Sequence, residues 1–182
     1  MEWMIPGTVI EAQREDAAQI EQQFSAMFLA GGMVLSQVTG ITGLEPHAVQ
    51  NWVKRGFLTP PERKHYSLKQ LCRIININML KNVLPMERIV GLLSYINGNL
   101  DDDSDDIIDD SQLYFMFVRL AAQARSNPTE EAWSAALQDA MADYQEPIPG
   151  AAERVAKALR IMLTAWIASR LRQEAENMLA NL

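Results

Sequence analysis

A short segment bounded by a proline and a glycine places the strongest constraint on the fold of this chain. Residues 46–55 begin with Pro46, which suits the first position of a helix because its missing N–H is not needed there. They end before Gly56, which suits the left-handed position that follows a helix. Val49 and Trp52 fall on one face of this helix. We therefore expect a short helix that packs its apolar back on the helix before it.

The opposite face of the same helix is polar. Its side chains follow one another at positions i, i+3, i+4 and i+7, and each can donate or accept hydrogen bonds: His47, Gln50, Asn51 and Lys54. A narrow helix that presents amides and cations is the element that the major groove of DNA accepts. A surface helix that is polar because it faces water has the same spacing. The spacing alone therefore leaves both interpretations open.

The segments around this helix follow a recognisable order. A helix is predicted over residues 34–41 and a turn over residues 42–45. After the central helix come the prolines at 60–61, which force extended backbone, and then a basic loop at 63–66. Ser67 follows as the N-cap of a further helix, with Gln70 completing a capping box.

This order, over residues 34–93, resembles the winged helix-turn-helix module of the MerR family of bacterial regulators. The stretches 49–61, 64–67 and 79–84 resemble more closely the central motif of a bacterial family that is classed only as a domain of unknown function with a MerR-like fold. The resemblance implies a DNA-binding transcriptional regulator that uses a recognition helix and a basic wing. It implies no enzymatic activity.

The polar face of the helix at 46–55 and the resemblance together predict where DNA is contacted. The contacts are expected on this helix and on a short basic wing at 62–66. MerR proteins usually carry Arg and paired Tyr in the recognition helix, whereas this chain does not, and its wing is several residues shorter. A protein-interaction adaptor that keeps the fold without binding DNA is therefore the alternative function. The predicted DNA-binding residues are His47, Gln50, Asn51, Lys54, Arg55, Arg63, Lys64 and Tyr66.

The charge distribution favours DNA although the whole chain is acidic. The formal net charge is −7. Residues 31–95, however, contain eight Lys or Arg and three Glu, a net charge of +5. A phosphate backbone responds to charge within about one Debye length, on the order of 8–10 Å, so the local balance matters more than the total.

The pattern along the chain predicts an all-α protein, or nearly so, because no strand signal is strong. We expect an N-terminal helix within residues 1–32, the MerR-like winged helix-turn-helix module at 33–96, and an acidic, solvated linker at 97–110. A helical domain for dimerisation or effector binding is expected at 111–182. A further hypothesis is that the acidic linker competes with DNA for the basic face.

The last predicted helix has an apolar stripe long enough to form a dimer seam or to pack on the N-terminal helix predicted at residues 9–30. The stripe consists of Val155, Leu159, Met162, Trp166, Leu171, Ala175, Met178 and Leu182. MerR regulators dimerise through C-terminal helices, so the resemblance implies a homodimer. An unknown small-molecule effector is a further expected partner.

Other chemistry is weakly indicated. A calcium-binding EF-hand loop beginning at Asp101 needs Gly at its sixth position and Glu at its twelfth, but these positions hold Asp106 and Gln112. Cys72 lies on the apolar stripe of its helix and is expected to be inert core, and no zinc pattern accompanies His47 or His65. We therefore expect no metal, no cofactor and no catalytic site.

The compartment follows from what the sequence lacks. The first residues have no basic start followed by a long apolar run, so no signal peptide is expected. The apolar stretch 161–168 is too short to span a bilayer. A single cysteine excludes an intramolecular disulfide and fits a reducing compartment. We predict a cytoplasmic protein.

Overall fold

Helices dominate the residues that the structure, a computed structural model, describes, which are 2–124 and 129–182. Eight α-helices and two pairs of short antiparallel strands occur within these ranges. The strands are β1 (Glu2–Met4), β2 (Glu11–Gln13), β3 (Met33–Val34) and β4 (His65–Tyr66). The helices are α1 (Ile20–Met27), α2 (Leu35–Thr42), α3 (Pro46–Lys54), α4 (Leu68–Leu80), α5 (Met86–Asn97), α6 (Asp110–Ala124), α7 (Glu130–Ala140) and α8 (Ala151–Ala180).

The N-terminal region differs from the long helix expected over residues 9–30. β1 pairs with β2 in a hairpin, a 3-10 helix follows at Arg14–Gln19, and only then does α1 begin. The loop of the hairpin reaches into the core, where the hydroxyl of Tyr114 donates to the carbonyl of Pro6 at 3.0 Å. Helix propensity was misleading here because these long-range contacts stabilise extended backbone in residues that would otherwise favour a helix.

Helix α4 lies at the centre of the molecule, and its sequence explains both its start and its burial. The hydroxyl of Ser67 accepts from the backbone N–H of Gln70, while the side chain of Gln70 accepts from the N–H of Ser67, as the capping box predicts. Nine of its residues are buried. The helix therefore packs on several sides, against α2, α5, α6 and α8.

Residues before and after the acidic segment contribute to one continuous apolar core. The segment itself is only partly solvated. Asp101, Asp102, Ser104 and Asp105 are exposed, but Asn97, Ile107, Ile108 and Asp110 are buried, and a 3-10 turn forms at Asp103–Asp105. A freely solvated linker was therefore the wrong expectation for residues 107–110, because Ile107 and Ile108 are buried in the core and Asp110 pairs with Arg73 of α4.

The apolar stripe of α8 is divided into two parts. Val155, Leu159, Met162 and Trp166 are buried in the chain's own core. From residue 171 onwards every residue is exposed, so the last third of the helix extends beyond the body of the molecule. Helix α8, at 30 residues, is about 45 Å long. In the described ranges, no helix is long and apolar enough to cross a bilayer.

Candidate nucleic-acid interface

Helices α2 and α3 form a pair joined by a tight turn. Gly43 ends α2 with a φ of 68°, a left-handed conformation that glycine adopts without steric cost. Pro46 occupies the first turn of α3, as its position in the sequence predicts. Val49 and Trp52 on the inner face of α3 are buried. The turn and this apolar face fix the orientation of α3 on the rest of the molecule.

The outer face of α3 points to solvent. His47, Gln50, Asn51 and Lys54 are all exposed. The structure therefore places the four predicted side chains along one open surface, which we call the polar stripe. None of the four forms a hydrogen bond or ion pair with another residue in the described ranges, so their polar groups remain available to a partner.

The short wing, residues 62–66, follows α3 and pairs with a strand that precedes α2. β4 pairs with β3, with Tyr66 opposite Met33, and the backbone N–H of His65 donates to the carbonyl of Glu62 at 2.8 Å. Between Glu62 and His65, the residues Arg63 and Lys64 have φ values of 49° and 69°. Two consecutive positive φ angles define a type I′ turn, which favours Asn-Gly and disfavours long L side chains.

The backbone conformation at this tip is costly. A residue other than glycine in the left-handed region costs roughly 1–2 kcal/mol, and such outliers cluster at functional sites. Here both residues in that region are exposed cations, Arg63 and Lys64. The chain thus holds two positive charges at the tip of the wing in a conformation that neither side chain prefers.

Helix α4 holds the base of the wing in place. The side-chain amide of Gln70 donates to the carbonyls of Thr59 and Pro60 and to the hydroxyl of Thr59, at 2.9–3.1 Å. The Nε of Arg73 donates to the carbonyl of Phe57 at 2.8 Å. Both donors are positioned by the buried body of α4, so the wing has a fixed base.

A cleft of about 620 Å³ separates the wing from α2 and α3. Gln50 of the polar stripe and Lys64 of the wing both line this cleft. Its other walls come from the start of α2, from α3 and from the wing, namely Val34, Leu35, Ser36, Val53, Pro61 and Tyr66. We call it the wing cleft.

The start of α2 was not among the predicted site residues. Val34 is the residue at the N-cap of α2, and a valine side chain cannot accept a hydrogen bond from the helix. The first N–H groups of α2 therefore lack a side-chain cap, and Ser36 beside them is exposed. The signal in the sequence was the absence of Ser, Thr, Asp or Asn at position 34.

Two of the predicted DNA contacts, Tyr66 and Arg55, are engaged within the chain. Tyr66 is buried, with 3 % of its surface exposed, and burial raises the pKa of its hydroxyl. Neighbouring side chains of a strand point to opposite faces, so the exposed His65 leaves the ring of Tyr66 facing inward. The side chain of Tyr66 therefore belongs to the core of the wing. Arg55 pairs with Glu87 of α5 at 3.2 Å and lies over the ring of Phe57.

Two further basic residues of the +5 region are engaged by the acidic segment. Lys69 pairs with Asp106 at 2.8 Å, and Arg73 pairs with Asp110 at 3.2 Å. Burial raises the pKa of Asp110 although the Arg73 guanidinium opposes that shift. The acidic segment therefore binds α4, and none of its described side chains forms an ion pair with the polar stripe. Lys54, Arg63 and Lys64 form no ion pair with a described residue.

The histidines and the cysteine do not assemble a reactive centre. Cys72 is fully buried, and its pKa is raised well above its ordinary value, first by loss of solvent and then by neighbouring carboxylates. A buried thiol of this kind is inert. Within residues 2–124 and 129–182, no group of three or more His, Cys, Asp or Glu side chains is arranged to hold a metal ion.

Comparison with known proteins places this arrangement in a wider group. The model of a family described as "Domain of unknown function (DUF1836)" matches residues 20–117, just over half of the chain. An uncharacterised protein, YkrK, of Bacillus subtilis (strain 168) is 32 % identical over 78 residues, which cover 41 % of this chain and 34 % of that protein. The match thus spans about a third of the relative's length. No solved structure matches the chain.

Proposed function

The chain belongs to the DUF1836 family, and since the description of that family names no activity, we propose from the site itself that the protein is a DNA-binding transcriptional regulator. We assign residues 33–96 to a MerR-like winged helix-turn-helix module. In this proposal α3 enters the major groove, and the wing contacts the backbone beside it.

One observation carries the proposal. Gln50 of α3 and Lys64 of the wing face the same cleft, so a single ligand can contact the polar stripe and the wing tip together. The tip holds Arg63 and Lys64 in a costly conformation, and Lys54 adds a third unpaired cation on the same module. A duplex offers base edges to the amides and phosphates to the cations.

The start of α2 supports the same assignment. The N–H groups of its first turn lack a side-chain cap, and Val34, Leu35 and Ser36 at this end line the wing cleft, where the helix dipole favours an anion. A backbone phosphate in this position would accept from these groups and from the hydroxyl of Ser36. The apolar walls formed by Val34 and Pro61 suit the sugar that follows it.

The phosphate contacts are tested by the salt dependence of binding. Each neutralised phosphate contributes a slope of about −0.9 to log K against log salt. The double variant Arg63→Ala with Lys64→Ala should flatten the slope by about 2 per subunit on all DNA sequences. The matched control is Lys157→Ala, which removes an exposed lysine of α8 that pairs with Glu153 and should leave the slope unchanged.

The base contacts are tested separately. Gln50→Ala or Asn51→Ala should relax sequence preference, because an amide that reads an adenine edge contributes about 1–3 kcal/mol of discrimination. The salt slope should stay the same in these variants. Failure of the wild-type chain to shift genomic fragments at low salt would overturn the proposal, as would binding that ignores salt.

We also propose that a second copy of the chain packs along the exposed side of α8. Six exposed residues follow one another at alternating spacings of three and four, the pattern of a two-helix seam. They are Ile161, Thr164, Ala168, Leu171, Ala175 and Met178. Two copies would present two α3 helices to the two half-sites of one operator.

Light scattering tests the seam. Leu171→Glu with Met178→Glu should convert a dimer to a folded monomer, because both side chains lie where α8 has left the core. The control Arg172→Glu with Asn177→Glu adds the same number of carboxylates beside the seam and should leave the dimer intact. A wild-type chain that is monomeric at tens of micromolar would contradict this part of the proposal.

A protein-interaction adaptor is the second candidate function. The observation that favours it is the apolar character of the wing-cleft walls, where Leu35, Val53 and Pro61 lie side by side. An adaptor would use this cleft for an apolar side chain of a protein partner and would leave the wing cations dispensable. Retention of partner binding in the Arg63→Ala, Lys64→Ala variant, together with absence of DNA binding by the wild type, would favour it.

A further inference from the structure

One side chain of α4, that of Arg73, joins two parts of the molecule that are distant in sequence. Its Nε donates to the carbonyl of Phe57 at 2.8 Å, and its Nη1 donates to the carboxylate of Asp110 at 3.2 Å. Phe57 begins the stretch that leads from α3 to the wing, residues 57–60, which we call the connecting loop. Asp110 is the first residue of α6. Arg73 therefore links the entry to the wing with the start of α6.

The Arg73–Asp110 pair is buried, and α6 does not need it as a cap. The two residues expose only 3 % and 1 % of their surfaces. The preceding residue, Asp109, caps α6, because its carboxylate accepts from the backbone N–H groups of Ser111 and Gln112 at 2.7 and 3.0 Å. The carboxylate of Asp110 is thus not the cap, and it accepts from Arg73 of α4.

The contribution of this pair is geometric more than energetic. Taking two charges out of water costs about as much as their attraction returns, so apolar residues of similar volume often stabilise a core equally well. A guanidinium, however, is planar and holds its donors in a rigid fork. With Nη1 fixed on Asp110, the direction of Nε towards the carbonyl of Phe57 is fixed as well.

The connecting loop determines where the wing lies relative to α3. Its first residue, Phe57, is bonded back to α3, because its N–H donates to the carbonyl of Trp52 at 2.9 Å. Gln70 of α4 holds the carbonyls of Thr59 and Pro60. The contact of Arg73 differs from these, since its donor is oriented by a residue of α6.

We propose that Arg73 is a positioning residue for the wing: the Asp110 carboxylate orients its guanidinium, which holds the connecting loop and so sets where Arg63 and Lys64 lie relative to α3. The end of the acidic segment thereby anchors the part of the chain that carries the wing. The consequence for DNA affinity rests on the proposed function, whereas the positioning itself can be measured without DNA.

Hydrogen exchange of the full chain in the absence of DNA tests the positioning. The variant Arg73→Met with Asp110→Leu replaces both charges by apolar side chains and keeps the core filled. The bonded amides of Phe57 and His65 report the connecting loop and the wing. Relative to core amides of α8, such as that of Met162, they should exchange about tenfold or more faster, the effect of losing one charge-assisted hydrogen bond.

A second variant separates the donor fork from the charge. Arg73→Lys keeps a cation beside Asp110 but has a single ammonium, which cannot hold the carboxylate and the carbonyl of Phe57 as a fork does. The amides of Phe57 and His65 should therefore accelerate in this variant too. Relative exchange at the wild-type rate in both variants would overturn the proposal.

The matched control is Arg119→Gln on α6. Arg119 resembles Arg73 in binding one carboxylate, that of Glu21 at 3.5 Å, and one carbonyl, that of Ala140 at 3.2 Å. These partners lie on α1 and α7, away from the wing. The control should leave the relative exchange of the wing amides unchanged. Equal acceleration in the control and in the Arg73 variants would show a general loosening of the fold and would refute the positioning role.

DNA titration measures the consequence for the proposed function. Arg73→Met with Asp110→Leu should flatten the salt slope towards that of Arg63→Ala with Lys64→Ala, by up to about 2 per subunit. Combining all four substitutions should flatten it little further, because the same contacts cannot be lost twice, whereas independent effects would add. A fully additive slope would contradict the positioning role. A wild-type chain that binds no DNA would refute the proposed function, and hydrogen exchange would still decide whether Arg73 positions the wing.

Discussion

Replacing the two residues at the tip of the wing separates the cost of their backbone from the use of their charges. Arg63 and Lys64 have φ values of 49° and 69° in a type I′ turn. Asn-Gly is the preferred pair for that turn. We therefore expect Arg63→Asn with Lys64→Gly to stabilise the fold while it removes both cations.

The magnitude follows from the backbone. A long L side chain in the left-handed region costs roughly 1–2 kcal/mol, and asparagine and glycine avoid most of that cost. The glycine at position 64 offsets part of this gain. It gives the unfolded chain more conformational freedom, which lowers the free energy of unfolding by about 0.5–1 kcal/mol. Because two positions are relieved, the net gain in the free energy of unfolding is about 1–2 kcal/mol, which raises the melting temperature by about 2–8 °C for a chain of this size.

Thermal unfolding and DNA titration at several salt concentrations measure the two effects. The matched variant is Arg63→Ala with Lys64→Ala, which removes the same charges but leaves side chains in the left-handed turn. Both variants should flatten the salt slope equally, by about 2 per subunit. The Asn-Gly variant should melt higher than the Ala-Ala variant. An Asn-Gly protein that melts no higher would refute the strained-turn argument, and one that keeps the wild-type slope would refute the phosphate contacts.

Other residues give further expectations. Asp110→Ala should lower the free energy of unfolding by about 3–5 kcal/mol because it leaves Arg73 charged and buried, and the double variant Asp110→Leu with Arg73→Met should regain most of it in denaturant titrations. Gly7→Ala should cost about 2–5 kcal/mol, since φ is +74° and the new Cβ would lie 2.7 Å from Ile75; wild-type stability would contradict this packing. Cys72 should react with a thiol reagent at pH 8 only after denaturation, and labelling of the native chain would show that the core opens there.

Much of the helical pattern is determined by local sequence. Pro46 and Gly56 mark the ends of α3, and Ser67 with Gln70 caps α4, because these features depend on backbone geometry within a few residues. The polar stripe of α3 is exposed as expected, since helical periodicity alone separates Val49 and Trp52 from the outer face.

The tertiary structure decided the features that depend on distant partners. The N-terminal hairpin forms because β1 and β2 pair with each other and their loop is bonded to residues more than seventy positions away. No local propensity specifies such contacts. Likewise, only packing reveals that α4 binds the acidic segment, that Tyr66 is buried and that Arg55 is paired with Glu87.

The apolar stripe of α8 shows the same division most clearly. The sequence alone indicated a long amphipathic helix, because periodicity is local. It could not indicate which half would find a partner within the chain. Val155 to Trp166 pack against α5 and α6, whereas Leu171 and Met178 extend past the last neighbouring element. Burial depends on where other elements end in space, and that is a property of the whole fold.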